Sequence, residues 1–499
     1  MSDNFKKNIK ANVISSYVNF ATNALFTFFL SPILIGFLGT SNFGIWKGVQ
    51  KILDFASLAD GRASQALKWV VANKKNQSDN KEKQQAVGSA IKIWFYFLPI
   101  LLLILLGLIW ILPYMINDLD NENYNVVRIV GLIMGVNILL NPLLGIPDAI
   151  LVGVNQAYKS NFVQTIWIVI SNISMVAVAS LGYGIIGLAT VVLIIGVLKG
   201  ICVLLTCKKS VTWLRVRQPE RQQLKTFFGF SAWVLLWSFV SRLLLSSEVI
   251  LIGFLIGSDE VSNYTFTAYI FALALSISLM TTSAAMPGLG AVFGAKDYVK
   301  SAKIANSIRD INIFISVFFG CIMLICNKSF VTLWMGSEFY LGDDINALIT
   351  IVLVQLILIR NEAQMQDVGL KIRSKVLTGL VGAVLSIVFS IILFYFIRSI
   401  IAIFVGIIIG RLIMSFRFPL LVNKMFTIKY NYKRLLFAIM ILFISYFYSI
   451  SVSFNFNWGG FVLYAIGIFL VVFLTCFLLL LPKESRRELL RKKNNNDKI

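Results

Sequence analysis

Residues 93–116 read IWFYFLPILLLILLGLIWILPYMI, a run without one charged side chain. A helix needs about 20 apolar residues to cross a hydrocarbon core about 30 Å thick. In lipid the backbone must close its own hydrogen bonds, so such a run has to be helical. Working outward, comparable runs fill the chain almost end to end, about fourteen in all. They are expected near 11–38, 42–66, 90–115, 126–153, 162–182 and 184–207. The series resumes near 226–256, 261–289, 308–327, 346–370, 376–396, 399–422, 434–453 and 458–482. The expected fold class is an all-α, polytopic transmembrane helix bundle.

Composition agrees. The chain has 499 residues, of which 58% are hydrophobic, more than a water-soluble protein can hide in its cores. Its formal net charge of +22 would suggest nucleic acid on a soluble chain. Here the excess belongs to the loops, and no nucleic-acid partner is expected. There is no histidine, which removes imidazole as base, nucleophile partner or metal ligand. Cys202, Cys207, Cys321, Cys326 and Cys476 lie in or at the ends of apolar runs without a CxxC pair, and read as packing groups. No catalytic residue, metal or cofactor is expected, and no P-loop is present to hydrolyse ATP. Lys6, Lys7 and Lys10 precede an apolar run too long for a cleavable signal, so the first helix is expected to stay in the membrane.

The loops alternate in charge. Lys74, Lys75, Lys81, Lys83 and Lys159 fall on one side with Lys208, Lys209, Arg215, Arg217, Arg221 and Lys225. Lys296, Lys300 and Lys303, then Lys371, Arg373 and Lys375, then Lys424, Lys429, Lys433 and Arg434 follow on the same side. The opposite loops carry Asp118, Asp120, Glu122, Asp259, Glu260, Asp343 and Asp344. The positive-inside rule puts the basic set, and with it both termini, in the cytoplasm of a multi-pass inner-membrane protein. An even number of spans follows.

The organisation expected is an N-terminal lobe at 1–207, a basic cytoplasmic linker at 208–225 and a C-terminal lobe at 226–425. Two further spans and a basic tail occupy 426–499, so two six-helix lobes are followed by a helical hairpin. A weak internal likeness supports the halves. YGIIGLATVVLIIG at 183–196 is paralleled by RSIIAIFVGIIIGR at 398–411, and DAILVGVNQAYKS at 148–160 by EAQMQDVGLKIRSK at 362–375. Such duplication is common in transporters, with the substrate path between repeats.

Function must be read where the apolar pattern breaks. A mid-span charge costs roughly 2.5–3.5 kcal/mol on insertion scales, so it persists for a reason. The stretch SNFGIWKGVQKILDFASLADGRASQALKWV at 41–70 is the most loaded. Lys47 and Lys51 share a helix face, Asp54 lies within pairing reach of Lys51, and Asp60 and Arg62 follow. Arg242 and Glu248 sit in the seventh span, and Arg360, Glu362 and Asp367 in the tenth. Arg411 is in the twelfth, while Asp148 follows Pro142 and Pro147, which break helix regularity in the fourth. Two readings stand side by side. The charges pair structurally, or Lys47, Lys51, Arg242, Arg360 and Arg411 line a hydrated cavity for a phosphate or pyrophosphate. Asp54, Asp148, Glu248, Glu362 and Asp367 would then pair with them or couple transport to Na⁺ or H⁺.

Residues 28–76, FFLSPILIGFLGTSNFGIWKGVQKILDFASLADGRASQALKWVVANKKN, resemble the opening of bacterial polysaccharide flippases of the Wzx type, in the MOP superfamily. SSEVILIGFLIGSDEVSNYTFTAYI at 246–270 resembles the family's second-lobe opening, with Glu248 where the family more often has Asp. The GIIGLA turn at 184–189 is similar to the one closing the first lobe. The resemblance implies a two-lobed MATE/MOP-like bundle working by alternating access. Its substrate would be an undecaprenyl-pyrophosphate-linked oligosaccharide for O-antigen, lipopolysaccharide or capsule synthesis. Membrane lipids, a polysaccharide polymerase and chain-length proteins would be its partners. The alternative is a cation-coupled exporter of drugs or small molecules in the same superfamily. A membrane-embedded transferase is disfavoured, because the loops are too short for donor binding.

Overall fold

A computed structural model describes residues 3–56, 64, 67, 68, 71, 80–116, 121–219, 221–294, 296–368, 372–428, 432–451, 457–482 and 486. Among these residues the regular structure is helical throughout, without a strand. The helices are α1 (Asp3–Ala56), α2 (Asn80–Ile111), α3 (Asn121–Leu144), α4 (Ile146–Gly153), α5 (Ala157–Ser180), α6 (Gly184–Ser210) and α7 (Arg221–Leu255). There follow α8 (Ser258–Thr267), α9 (Tyr269–Gly294), α10 (Tyr298–Trp334), α11 (Asp343–Val368), α12 (Ile372–Ile397), α13 (Ile400–Phe426), α14 (Tyr432–Ser451) and α15 (Trp458–Leu479).

Eleven of the described helices are long and apolar enough to cross a membrane, or up to twelve if the bent pair Ser258–Thr267 and Tyr269–Ser283 is one span. Two features connect that number with the expected fourteen. Helix α1 holds 54 residues, about 80 Å if straight at 1.5 Å per residue, far more than one crossing needs. It is broken at Gly39, whose φ of 78° and ψ of 167° suit glycine alone, so its two limbs occupy the first two expected spans. Helix α11 fills the tenth expected span, its charged residues keeping its hydropathy low. The proline-rich break expected in the fourth span is present: α3 ends at Leu144, and Pro147 stands in the first turn of α4, where its missing N–H costs nothing.

The chain forms two compact units, Met1–Ser262 and Asn263–Ile499. The expected linker at 208–225 lies within the first of these, because α7 packs on α1. Residues 211–219, with a turn at 212–213, lie against α2. There Gln84 donates to the Trp213 carbonyl at 3.0 Å, and the Arg217 amide donates to the Gln84 carbonyl at 3.3 Å.

In the first unit a polar seam joins the first limb of α1 to α5. Asn12 donates to Asn155 at 2.8 Å and accepts from the Tyr158 amide at 2.8 Å, while Asn19 donates to Thr165 at 3.2 Å. Lipid gives apolar helices no hydrophobic reason to associate, so such bonds and close packing hold the bundle. Its core gathers Val87, Ala90, Ile150, Leu151, Val203 and Cys207.

The second unit is built around α10, whose Phe318 and Cys321 pack with Cys476 of α15 and Ala438 of α14. All five cysteines are free thiols, Cys202 half-buried and the others buried. Helices α12 and α13 cross closely, with Gly406 against the backbone of Ser390 and Gly410 against that of Ser386. The α8–α9 bend of 57° contains neither proline nor glycine at its corner. Asn327 donates to the carbonyl of Thr267 at that corner at 2.8 Å, and Thr267 Oγ1 donates to the Phe339 carbonyl at 3.2 Å. Apolar side chains point outward across both units, Leu103 at 71% exposure and Phe396 at 83%, as a lipid-facing surface requires.

Candidate functional site

The second limb of α1 presents Lys47, Lys51 and Asp54, all half-buried. Lys47 Nζ lies 5.2 Å from the centre of the Phe43 ring, and its charge is felt together with that of Lys51. Arg242 of α7 donates through Nη1 to Asp54 Oδ2 at 3.2 Å. The two side chains are 33% and 41% exposed, so this ion pair is open to what approaches it. Beside it Phe55 and Phe239 meet edge to face at 6.1 Å, continuing the same α1–α7 contact. Glu248, further along α7, is 3% exposed and accepts from Ser247 at 3.4 Å. Asp60 and Arg62, like Asp118 and Asp120, lie outside the described residues.

Asp148 sits elsewhere in this unit, in the first turn of α4. It accepts from Ser160 and, at 3.2 Å, from Gln164 Nε2, both on α5; Gln164 also donates to Ser160 at 2.9 Å. Lys199 of α6 is within electrostatic reach of the same carboxylate. Helices α4, α5 and α6 thus meet on one acid.

The second unit holds the remaining charges. Glu362 of α11 accepts a bidentate fork from Arg309 of α10, at 2.6 Å from Nε and 2.7 Å from Nη2. These side chains are 2% and 4% exposed, and Arg309 Nη1 also donates to Asn423 of α13 at 2.9 Å. One turn along, Asn312 donates to Asn361 at 3.0 Å and to Thr282 at 2.9 Å, and accepts from Ser278 at 2.6 Å. Asp367, at the end of α11, pairs with Lys375 of α12, and Arg360 lies within electrostatic reach of both. Arg434 pairs with Asp310, and Arg411 is fully buried in α13.

The expected site residues therefore form separate groups. Lys47, Lys51, Asp54 and Arg242 assemble on α1 and α7. Asp148 belongs to the α4–α6 node. Glu362, Asp367 and Arg360 lie along α11, two of them already engaged by cations. Arg309, Lys199 and the burial of Lys375 were not anticipated. Arg309 was hidden at the edge of the expected span 308–327, although its neighbour Asp310 makes it half of an adjacent charge pair there. Lys199 lies deep in the apolar stretch 184–207, where a lone lysine is the signal to look for.

Two cations and a carboxylate on one helix, with a further cation on the next, can hold an anion. Guanidinium presents five donors, and a phosphate accepts two in parallel. A fully buried bidentate pair such as Arg309–Glu362 is instead a fixed joint, because separating it strands two charges.

Residues 9–293 match the family model described as "Polysaccharide biosynthesis protein". No curated protein matches the sequence. Among solved structures the chain is similar to the lipid II flippase MurJ in its inward closed conformation, with 16% identity and a TM-score of 0.68 over 96% of this chain and 100% of that one. It is also similar to an outward-facing multidrug resistance MATE transporter of the MOP superfamily, with 16% identity and a TM-score of 0.59 over 85% of this chain and 96% of that one. A MOP superfamily transporter from Pyrococcus furiosus, described as having a binding pocket of reversed polarity, matches with 14% identity and a TM-score of 0.55 over 84% of this chain and 94% of that one. At such identities these likenesses establish the fold.

Proposed function

Because the chain belongs to the polysaccharide biosynthesis protein family, we propose that it is a transporter rather than an enzyme. Its cargo in this reading is an undecaprenyl-pyrophosphate-linked oligosaccharide, moved from the inner to the outer leaflet by alternating access. Both termini lie in the cytoplasm, and the product feeds polymerisation into a surface polysaccharide such as O-antigen or capsule. The observation that carries the reading is the partly exposed Asp54–Arg242 pair with Lys47 and Lys51 beside it. Lys47 and Lys51 share the second limb of α1 with Asp54, and Arg242 reaches that carboxylate from α7, all within candidate membrane spans. A pyrophosphate headgroup offers the opposite charge and the bidentate geometry that Arg242 favours. Family membership supports the saccharide, and the fold shared with a lipid II flippase supports a lipid-linked cargo.

The competing reading, a Na⁺- or H⁺-coupled exporter of small molecules, draws on the Asp148 node, where a carboxylate and a hydroxyl converge. Two arms separate the readings. Lys51→Ala with Arg242→Ala should lower surface polysaccharide about tenfold or more with membrane insertion intact, equivalent to about 1.4 kcal/mol of lost cargo binding. Full export after Lys51, Arg242, Arg360 and Arg411 are all replaced would sink the flippase reading. Efflux of a cationic dye abolished by Asp148→Asn, with polysaccharide export unchanged, would establish the exporter.

A further inference from the structure

The α1–α7 face that carries the Asp54–Arg242 pair also carries an apolar groove of 610 Å³. Helix α1 lines it with Ile52 and Phe55, α2 with Ile104 and Leu108, and α7 with Phe239 and Leu243. That volume is within the roughly 300–1,000 Å³ of small-molecule sites.

The register ties groove to charge. Ile52 and Phe55 bracket Asp54, and Phe239 and Leu243 bracket Arg242. On each helix the charged residue is next to a lining residue, about 100° around the axis. The ion pair therefore stands at the edge of the groove, next to the Phe55–Phe239 contact.

An apolar hollow on a membrane protein signals little by itself. Among the described residues this one is set apart by the excess of cations on the helices beside it, Lys47, Lys51 and Arg242 against Asp54. An amphiphile with an anionic head and an apolar chain matches both halves. A phospholipid would bring two chains to such a groove, and a carrier with one apolar chain brings one.

We infer that this groove receives the phosphate-proximal isoprene units of a polyprenyl carrier, with the phosphate on Arg242. The inference rests on the lipid-linked cargo proposed above and adds where the carrier's chain begins. The remainder of a long chain continues into the bilayer.

The test uses the full-length protein in detergent and farnesyl phosphate as the probe, with binding followed by calorimetry. Farnesol should bind at least tenfold more weakly, and Arg242→Gln should reduce farnesyl phosphate to the level of farnesol. Leu243→Trp should fill the groove and weaken farnesyl phosphate at least tenfold. Ile104→Trp fills it from α2 and should do the same, which keeps the test decisive if one variant fails to fold. Unchanged affinity in the folded tryptophan variants overturns the inference, as does equal competition by a short-chain phosphatidylglycerol. Loss of export on removing Lys51 and Arg242, with farnesyl phosphate indifferent to both tryptophans, would remove the groove assignment and leave the flippase reading standing. Binding as expected, with export surviving removal of all four cations, would do the reverse.

Discussion

Arg309 and Glu362 form the most enclosed ion pair among the described residues, two hydrogen bonds long and 4% and 2% exposed. Breaking one partner of a buried pair costs about 3–5 kcal/mol, because the other charge stays behind in low dielectric. Glu362→Ala should therefore lower the thermal unfolding midpoint in detergent by several degrees. The double replacement Arg309→Met with Glu362→Leu should recover most of that loss. A double variant as unstable as the single one would mean the pair contributes attraction beyond its own desolvation. At this scale the sequence revealed which charges are costly but not whom they meet. Glu362, Arg411, Asp54 and Arg242 stand out because each interrupts an apolar run. Their partners do not: Arg309 is 53 residues from Glu362, and Arg242 is 188 from Asp54. Helical periodicity carries no information across such separations, so Lys51 seemed as good a partner for Asp54 as any.

Helices α12 and α13 show how one pair of elements is fixed. Gly406 and Gly410 repeat every fourth residue, and so do Ser386 and Ser390 opposite them. The four positions let the backbones touch, and Ser390 Oγ donates across the crossing to the Ile403 carbonyl at 2.8 Å. A Cβ at either glycine would overlap the partner's backbone rather than a side chain that could turn away. Gly410→Val should separate the helices and cut the yield of folded protein several-fold, read as the monodisperse fraction in size-exclusion chromatography. Ser386→Gly, which only removes atoms, should leave that fraction nearly unchanged. An unaffected Gly410→Val would show that the crossing adjusts. The GxxxG spacing was visible in the sequence, whereas the α8–α9 bend was not. The carbonyl at that corner is satisfied by Asn327, 60 residues away, so no local breaker was needed.

For the whole molecule, apolar runs alone gave the class: a helical membrane bundle. Polar loops located most ends, because water-exposed backbone tolerates turns and lipid does not. The division of the chain was harder to read, since α7 joins the first unit through an ion pair and ring contacts rather than through loop composition. The charge alternation makes a prediction at this scale. Single cysteines at 215 and in the C-terminal tail of a cysteine-free variant should react with an impermeant thiol reagent only after permeabilisation. A cysteine at 343, in the acidic first turn of α11, should react in intact cells. Labelling of 215 and the tail on opposite sides would break the even number of spans expected between them.

The counter-charge arrangement on α1 also has a temporal side. The limb bearing Lys47, Lys51 and Asp54 leaves the ribosome 188 residues before Arg242 does. At about 5–20 residues per second, that interval is on the order of 10–40 s. For that time a poorly hydrophobic segment must remain beside the insertion machinery or shelter against the first limb. The second crossing is thus synthesised early, while its ion pair can close only once the chain has grown to about its midpoint.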